Sequence, residues 1–338
     1  ILSCGVVGEG AKAIEHEAKR LGIECVAWRM KSGLNVKGMQ AIWRWVHRHE
    51  FTHIHSHGYK FNILLALTRK KSSGIKLIST IHGYVAPKAF SKMWLNLLLD
   101  RWALKKMDAV VFVSRAMLTQ RAFKSLRLRC FEVINNGMDF SLFSSGAKSE
   151  GDLIVENLPK ELLKIGFVGR LSREKGVDLL LEAFALLSRD RADAQLVLCG
   201  EGPLLDCLEA RARDLALFDR VVFAGFVNHV ADVLEKMDIF VMPSLTEGMP
   251  MVLMEAMAAN KKIVATRVGG MPEMLSAYER SALVAPGDRA QLKNAMVDVL
   301  GVTDVVSGGM SEIDTLFAVS RMAEDYRSLY LESLQGVV

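Results

Sequence analysis

The chain has 338 residues, of which 51% are hydrophobic and 24% charged, with a formal net charge of +5. That length and composition suit two packed α/β domains and exclude a disordered or fibrous chain, and no apolar run approaches the ~18 residues of a membrane-spanning helix. Charge is uneven: residues 1–160 carry a net of +13 and the remainder −8, which suggests that the first half meets something anionic. The five cysteines, Cys4, Cys25, Cys130, Cys199 and Cys207, are scattered without a C-x-x-C pair. That argues against a disulfide framework or a zinc site and fits a reducing cytoplasm.

The chain opens at Ile1 without Met, in what reads as the tail of a strand. A few preceding residues are therefore expected, and no signal peptide is visible. Cys4-Gly5-Val6-Val7-Gly8-Glu9-Gly10 is a Gly-rich turn ahead of a helix expected from about Ala11 to Leu21. Such a turn lets backbone approach a ligand, which makes Gly8 and Gly10 candidates, although a plain tight turn reads equally well. The spacing is not the G-x-G-x-x-G dinucleotide fingerprint.

Strand signals recur at Glu24–Trp28, His53–His57, Lys76–Ile81, Ala109–Ser114 and Phe131–Ile134, with helical stretches between them. This alternation implies a parallel sheet with both faces covered. Trp43, Trp45 and their basic neighbours read as one helix face used for packing. His53, His55 and His57 alternate along one strand and share a face. Three imidazoles suit a metal, but no carboxylate or cysteine is spaced to complete the set. His57-Gly58 ends that strand, and Ser79-Thr80-Ile81-His82-Gly83 places His82 at the end of the next, where an imidazole can hydrogen-bond a substrate. Lys88 to Lys106, with Trp94 and Trp102, reads as a basic amphipathic helix or helix pair, either lying on anionic lipid or forming an ordinary domain surface. The Asn-Gly pair in Val133–Asp139 is a turn, and polar residues 141–160 read as a linker.

A second strand–helix series begins at Lys164–Val168 and continues through Gly169-Arg170, Lys175-Gly176 and a helix Val177–Leu187. Two cations beside a glycine turn are what a diphosphate needs, although one Arg and one Lys in a polar loop also read as solvated charges. Leu196–Cys199, Val221–Val227, Ile263–Thr266 and Ala282–Ala285 are further strands. Ile239–Met242 is a short apolar run stopped by Pro243, the pattern of a buried strand. Met251 to Ala259 is a strong helix former, with Pro250 where the first turn begins. Glu247 therefore lies in the loop and Glu255 in the first turns of the helix. Ligands of open α/β sheets collect at such carboxyl strand ends beside helix N-termini, where carboxylates accept from sugar hydroxyls. Taken singly, Glu247 reads equally as a helix cap and Glu255 as a solvated charge.

The string Glu247-Gly248-Met249-Pro250, completed by Glu255, resembles the Glu-x7-Glu motif of the glycosyl transferases group 1, or family 4, the retaining nucleotide-sugar enzymes of GT-B architecture. Gly169-Arg170-Leu171 with Lys175-Gly176 resembles their pyrophosphate-binding segment. Val110–Ser114, Val133–Asp139 and Gly200-Glu201-Gly202-Pro203 resemble further family segments. The resemblance implies an α/β fold of two Rossmann-like domains facing across a cleft, with a C-terminal helix crossing back to the first. The expected boundaries are 1–160 for the acceptor domain, 161–317 for the nucleotide-sugar domain and 318–338 for the crossover helix. It implies catalytic roles for His82, Glu247, Arg170 and Lys175. It further implies substrate contacts from Gly8, Gly10, Gly248, Met249, Pro250 and Glu255, and a base pocket near Phe226 or Val227.

The implied donor is a nucleotide diphosphate-sugar (a UDP-sugar or GDP-mannose), and the implied acceptor a saccharide or lipid-linked molecule, as in surface polysaccharide or glycolipid synthesis. No Asp-x-Asp occurs, so transfer is expected to need no metal and no cofactor. A cytoplasmic protein is expected, peripheral on the inner face of the plasma membrane if the basic first half meets an anionic surface; no nucleic-acid motif is present. Rival readings are a GT-B-fold sugar-nucleotide epimerase and a non-catalytic nucleotide-sugar-binding module. An NAD-dependent oxidoreductase would need the missing glycine fingerprint.

Overall fold

The structure is a computed structural model that describes residues 1–70, 74–83, 90–120, 122–139, 148–301 and 317–335. The stretch 302–312, which no sequence motif explains, lies outside the described residues.

In the first half, β1 (Leu2–Val6) and β2 (Val26–Met30) pair in parallel. β3 (His53–Ser56), β4 (Lys76–Ile81), β5 (Ala109–Phe112) and β6 (Phe131–Val133) form a second parallel sheet in that order. Crossover helices α1 (Ala13–Arg20), α2 (Val36–Arg48), α3 (Tyr59–Thr68) and α4 (Lys92–Leu104) intervene, with a short α5 (Ala116–Thr119) after β5. The alternation suggests one sheet, yet no ladder joins β1 to β3 among the described residues. A cavity of about 630 Å³, lined by Leu2, Cys4, Ile54, His55 and Phe61 among others, separates them. Trp43 and Trp45 do not share a helix face, because residues two apart point about 200° apart. Trp43 is buried and its Nε1 donates to Thr68 Oγ1 on α3 at 2.8 Å, whereas Trp45 packs on the rings of Trp28 and Phe51.

The second half is one six-stranded parallel sheet. It comprises β7 (Leu163–Val168), β8 (Ala194–Cys199), β9 (Val221–Gly225), β10 (Ile239–Met242), β11 (Lys262–Thr266) and β12 (Ser281–Val284). Their spatial order is β12-β11-β10-β7-β8-β9, so the first strand of the unit lies beside its fourth, the doubly wound order. Helices α7 (Val177–Asp190), α8 (Leu205–Asp214), α9 (Val230–Glu235), α10 (Met251–Ala258), α11 (Met271–Met274) and α12 (Arg289–Leu300) follow β7 to β12 in turn. Ile165, Phe167, Leu196, Leu198, Ile239 and Val241 are fully buried, which is why these strands read as unbroken apolar runs. A short helix α6 (Glu150–Glu156) lies inside the stretch that reads as a linker, closed by a reciprocal Ser149–Asp152 capping box. The Asp152 carboxylate also accepts from the backbone N–H of Asn228 at 3.2 Å and of His229 at 3.0 Å. α6 is thereby fastened to the loop after β9 in the second unit.

The chain then returns. Met138 and Ala318 form an isolated bridge, and helix α13 (Val319–Gln335) runs back over the first unit. Its Leu329 is buried with Ile78, Ala109, Val111 and Ile134. Its polar face meets the β3 histidines: His55 bonds Tyr330 Oη through Nδ1 at 2.7 Å and Thr80 Oγ1 through Nε2 at 2.8 Å. Tyr326 Oη lies 2.9 Å from the same Thr80 hydroxyl, and His53 Nε2 lies 2.8 Å from Ser333 Oγ. His53 and His55 thus clamp the returning helix.

Candidate active site

The doubly wound order places the loops after β7 and β10 at its switch point, where a crevice opens between loops that leave in opposite directions. The first loop runs Gly169-Arg170-Leu171-Ser172, turns through a short 3₁₀ segment at Arg173–Lys175 and enters α7 at Gly176. Gly176 has φ +64, and a Cβ there would collide with the Pro243 carbonyl. Only glycine permits both the left-handed turn and this approach. The second loop runs from Pro243 to Pro250. Leu245 N donates to Glu174 O at 2.8 Å, which ties the two loops together.

At their junction Lys175 Nζ lies 2.7 Å from Glu247 Oε1, and Ser244 Oγ donates to the same oxygen at 2.7 Å. The side chain of Glu247 is 9% exposed and that of Lys175 24%. A cation and a carboxylate from two loops are thus held together in a partly desolvated place, where their charges act strongly on any ligand. Ser244 is itself positioned from behind, its carbonyl accepting from Thr266 Oγ1 at 2.5 Å. Arg170 is exposed on the same loop as Lys175, and its guanidinium makes no hydrogen bond or ion pair with another described residue.

Gly248 carries the contact between the two units. A Cβ on it would collide with the His82 carbonyl, and its own carbonyl accepts from Gly270 N at 2.7 Å. Asn136 Nδ2 reaches from the first unit to donate to the Met249 carbonyl at 2.9 Å. Ser114 is fully buried, its Oγ without a partner among the described residues, and a Cβ on Gly270 would touch the Ser114 Cβ at 3.0 Å. Pro250 caps α10 with φ −75, one position before the first helical residue. The first N–H groups of α10 have no intrahelical acceptor, and the helix dipole makes this end attractive to an anion. Glu255 follows one turn in. It is half-buried, desolvation raises its pKa above the ordinary carboxylate value, and its carboxyl bonds no other described residue.

His82 ends β4 on the opposite side. Its Nε2 lies 3.0 Å from His57 Nδ1, and the two rings stack with centroids 5.3 Å apart. Desolvation lowers the pKa of both, with the His82 charge adding to the effect on His57. A neutral ring pair shares one proton between His82 Nε2 and His57 Nδ1.

The structure brings Lys175, Glu247, Gly248, Met249 and His82 together and places Arg170, Pro250 and Glu255 on the elements that carry them. Gly8 and Gly10 lie in an exposed turn with open space where a Cβ would sit. That turn is held by Glu9, which accepts from Val6 N at 2.8 Å, and by Arg29, which donates to Gly10 O at 3.0 Å. Past the end of β9, Phe226 is exposed and Val227 buried among apolar side chains. Sequence reasoning missed Asn136, Ser244 and Thr266. Asn136 stands in a family-like segment whose Asn-Gly pair signals only a turn; nothing local marks the other two.

The family model "Glycosyl transferases group 1" matches residues 163–301, and "Glycosyltransferase Family 4" matches residues 6–142. The 2-deoxystreptamine glucosyltransferase of Streptomyces kanamyceticus is 30% identical over 208 residues, which cover 60% of this chain and 54% of that protein. The N-acetyl-alpha-D-glucosaminyl L-malate synthase of Bacillus anthracis is 25% identical over 268 residues, covering 77% and 69%. The chain thus spans just over half the length of the first of these relatives. Among solved structures, HepE of Anabaena in complex with UDP-glucose superposes with a TM-score of 0.80 at 22% identity, covering 96% of this chain and 91% of that one. This likeness shows the fold: two Rossmann-like domains in the GT-B arrangement.

Proposed function

We propose a reaction for this chain, which belongs to the glycosyl transferases group 1 and glycosyltransferase family 4: transfer of a sugar from a nucleotide diphosphate-sugar to an acceptor hydroxyl, with retention of configuration. The observation that carries it is the pairing of Lys175 with Glu247 at 2.7 Å, 72 residues apart in the chain, at the switch point of the second sheet.

The donor's diphosphate lies against the second unit. Lys175, Arg170 and the N-terminal N–H groups of α10 meet the negative charge that builds on the leaving group. Glu255, half-buried and bonded to no other described residue, accepts from the ribose hydroxyls. Glu247 and His82 hold the transferred sugar from opposite sides of the cleft, and in the free protein Glu247 occupies Lys175 until phosphate competes for it. The acceptor oxygen attacks the anomeric carbon on the face from which the diphosphate departs. The C–O bond to phosphate breaks, the new glycosidic bond forms, and the acceptor proton passes to the departing phosphate oxygen. Double displacement needs two carboxylates flanking one carbon; Glu247 and Glu255 read as hydroxyl binders instead. With two protein cations at the diphosphate and no Asp-x-Asp in the chain, the reaction needs no metal and no cofactor. The acceptor is a saccharide or a lipid-linked molecule, as in polysaccharide or glycolipid synthesis.

The test is a donor screen by mass spectrometry with UDP-sugars and GDP-mannose, with and without EDTA, and the product's anomeric configuration read by NMR. Transfer with retention that survives EDTA is expected. Inversion, free-sugar epimerisation or an absolute metal requirement would each refute the proposal. In calorimetry, Lys175→Ala and Glu255→Ala should each weaken nucleoside diphosphate binding about tenfold or more; unchanged affinity would break the residue assignment.

A further inference from the structure

Helix α4 turns an apolar face outward and buries a carboxylate. Asp100, Ala103 and Leu104 form its buried face, with Asp100 Oδ1 accepting from Asn62 Nδ2 at 2.8 Å. On the solvent side, Leu95, Leu98 and Trp102 are 53%, 43% and 39% exposed. Their spacing of three and then four residues lines them into a single stripe along the helix. Just before the capping residue Ser91, Phe90 is 89% exposed and in ring contact with Trp94. A surface helix of a soluble domain shows polar groups there, and a continuous exposed apolar strip marks an interaction surface.

The charges around it name the occupant. Lys92, Lys105 and Lys106 are exposed on and just after the same helix. The one carboxylate between residues 88 and 106 is Asp100, which points inward. An apolar stripe framed by cations and free of exposed carboxylates is complementary to the headgroups and acyl boundary of an anionic leaflet. The basic balance of the first half, +13 over residues 1–160, reinforces the attraction.

We propose that the outer face of α4 docks on an anionic phospholipid surface, with Leu95, Leu98 and Trp102 entering the interface and Lys92, Lys105 and Lys106 pairing with lipid phosphates. The placement bears on the cleft. Gly83 lies against Gly248, the backbone N of which is 3.4 Å from the position of a Gly83 Cβ. Phe90 follows seven residues later in the chain, a tether of at most ~25 Å. A docked α4 therefore holds the cleft within reach of a lipid-linked acceptor. The docking itself stands independently of the transfer reaction, and its test reads no transfer.

The experiment is co-sedimentation of the full chain with phosphatidylcholine vesicles and with vesicles containing about one-third phosphatidylglycerol, at about 50 mM and about 500 mM salt. The expected result is binding to the anionic vesicles alone, released at the higher salt. The double variant Leu95→Gln/Leu98→Gln should partition about tenfold less or weaker, and Lys105→Glu/Lys106→Glu likewise about tenfold, with circular dichroism unchanged in both. All four side chains are exposed, so the two variants probe the surface by separate routes. No binding to anionic vesicles at low salt, or binding that neither variant weakens, would overturn the proposal. So would a dimer in sedimentation velocity that the leucine variant dissolves while vesicles capture nothing, because the stripe's occupant would then be a second copy.

Discussion

Acid should loosen the seam between α13 and β3, and His55 sets the size of the effect. Burial, helped by the neighbouring His57, His82 and His53, pushes its pKa from 6.5 down to about 3. In the fold the ring is neutral, held between Tyr330 Oη and Thr80 Oγ1. In the unfolded chain it takes up a proton below pH 6.5. Between these values the unfolded state binds more protons, so stability rises with pH across the window and falls on acidification. The contribution is complete above about pH 6.5, and at about pH 5 the loss is about 2 kcal/mol, from 1.5 pH units at 1.36 kcal/mol each. Urea unfolding followed by circular dichroism, at about pH 7.5 and about pH 5, measures it for the parent and for His55→Gln, which keeps a hydrogen-bonding group without a titrating one. The parent should lose about 2 kcal/mol more than the variant over that interval. Part of the acid sensitivity remains in the variant, because His53, His57 and His82 are also lowered by burial. Equal losses in the two proteins would show that His55 is not buried neutral against α13, and the clamp on the returning helix would be wrong.

Two further substitutions test the frame of the site. Gly248→Ala places a methyl into the His82 carbonyl and should cost about 1–3 kcal/mol of overpacking at the contact between the units; a thermal melt and a turnover rate both matching the parent would contradict that contact. Asp152→Ala removes the capping box of α6 and the acceptor for the backbone N–H of Asn228 and His229. A loss of about 2 kcal/mol in urea unfolding is expected, and a change under about 0.5 kcal/mol would mean that α6 is not anchored to the second unit.

What local residue chemistry determined is the set of elements and the motif-bearing loops. The strands of the second unit could be read directly, because parallel strands buried on both faces are continuous apolar runs, as Leu196–Leu198 and Ile239–Val241 are. Glycine at 176 and the Pro250-led helix start were likewise legible, since turn chemistry and caps act within a few residues. The α6 cap was equally local, yet the polar composition around it masked the Ser149-x-x-Asp152 signal. Tertiary structure alone decided which distant groups meet. Lys175 finds Glu247 across 72 residues, Asn136 finds the Met249 carbonyl across 113, and His55 finds Tyr330 across 275. The opposite faces of Trp43 and Trp45 follow from helix geometry within one element, whereas the separation of β1 from β3 and the outward turn of the α4 stripe are of the same kind as those pairings. Each depends on which surface the packed sheet presents to a side chain, and sequence spacing carries that information only as far as the end of its own element.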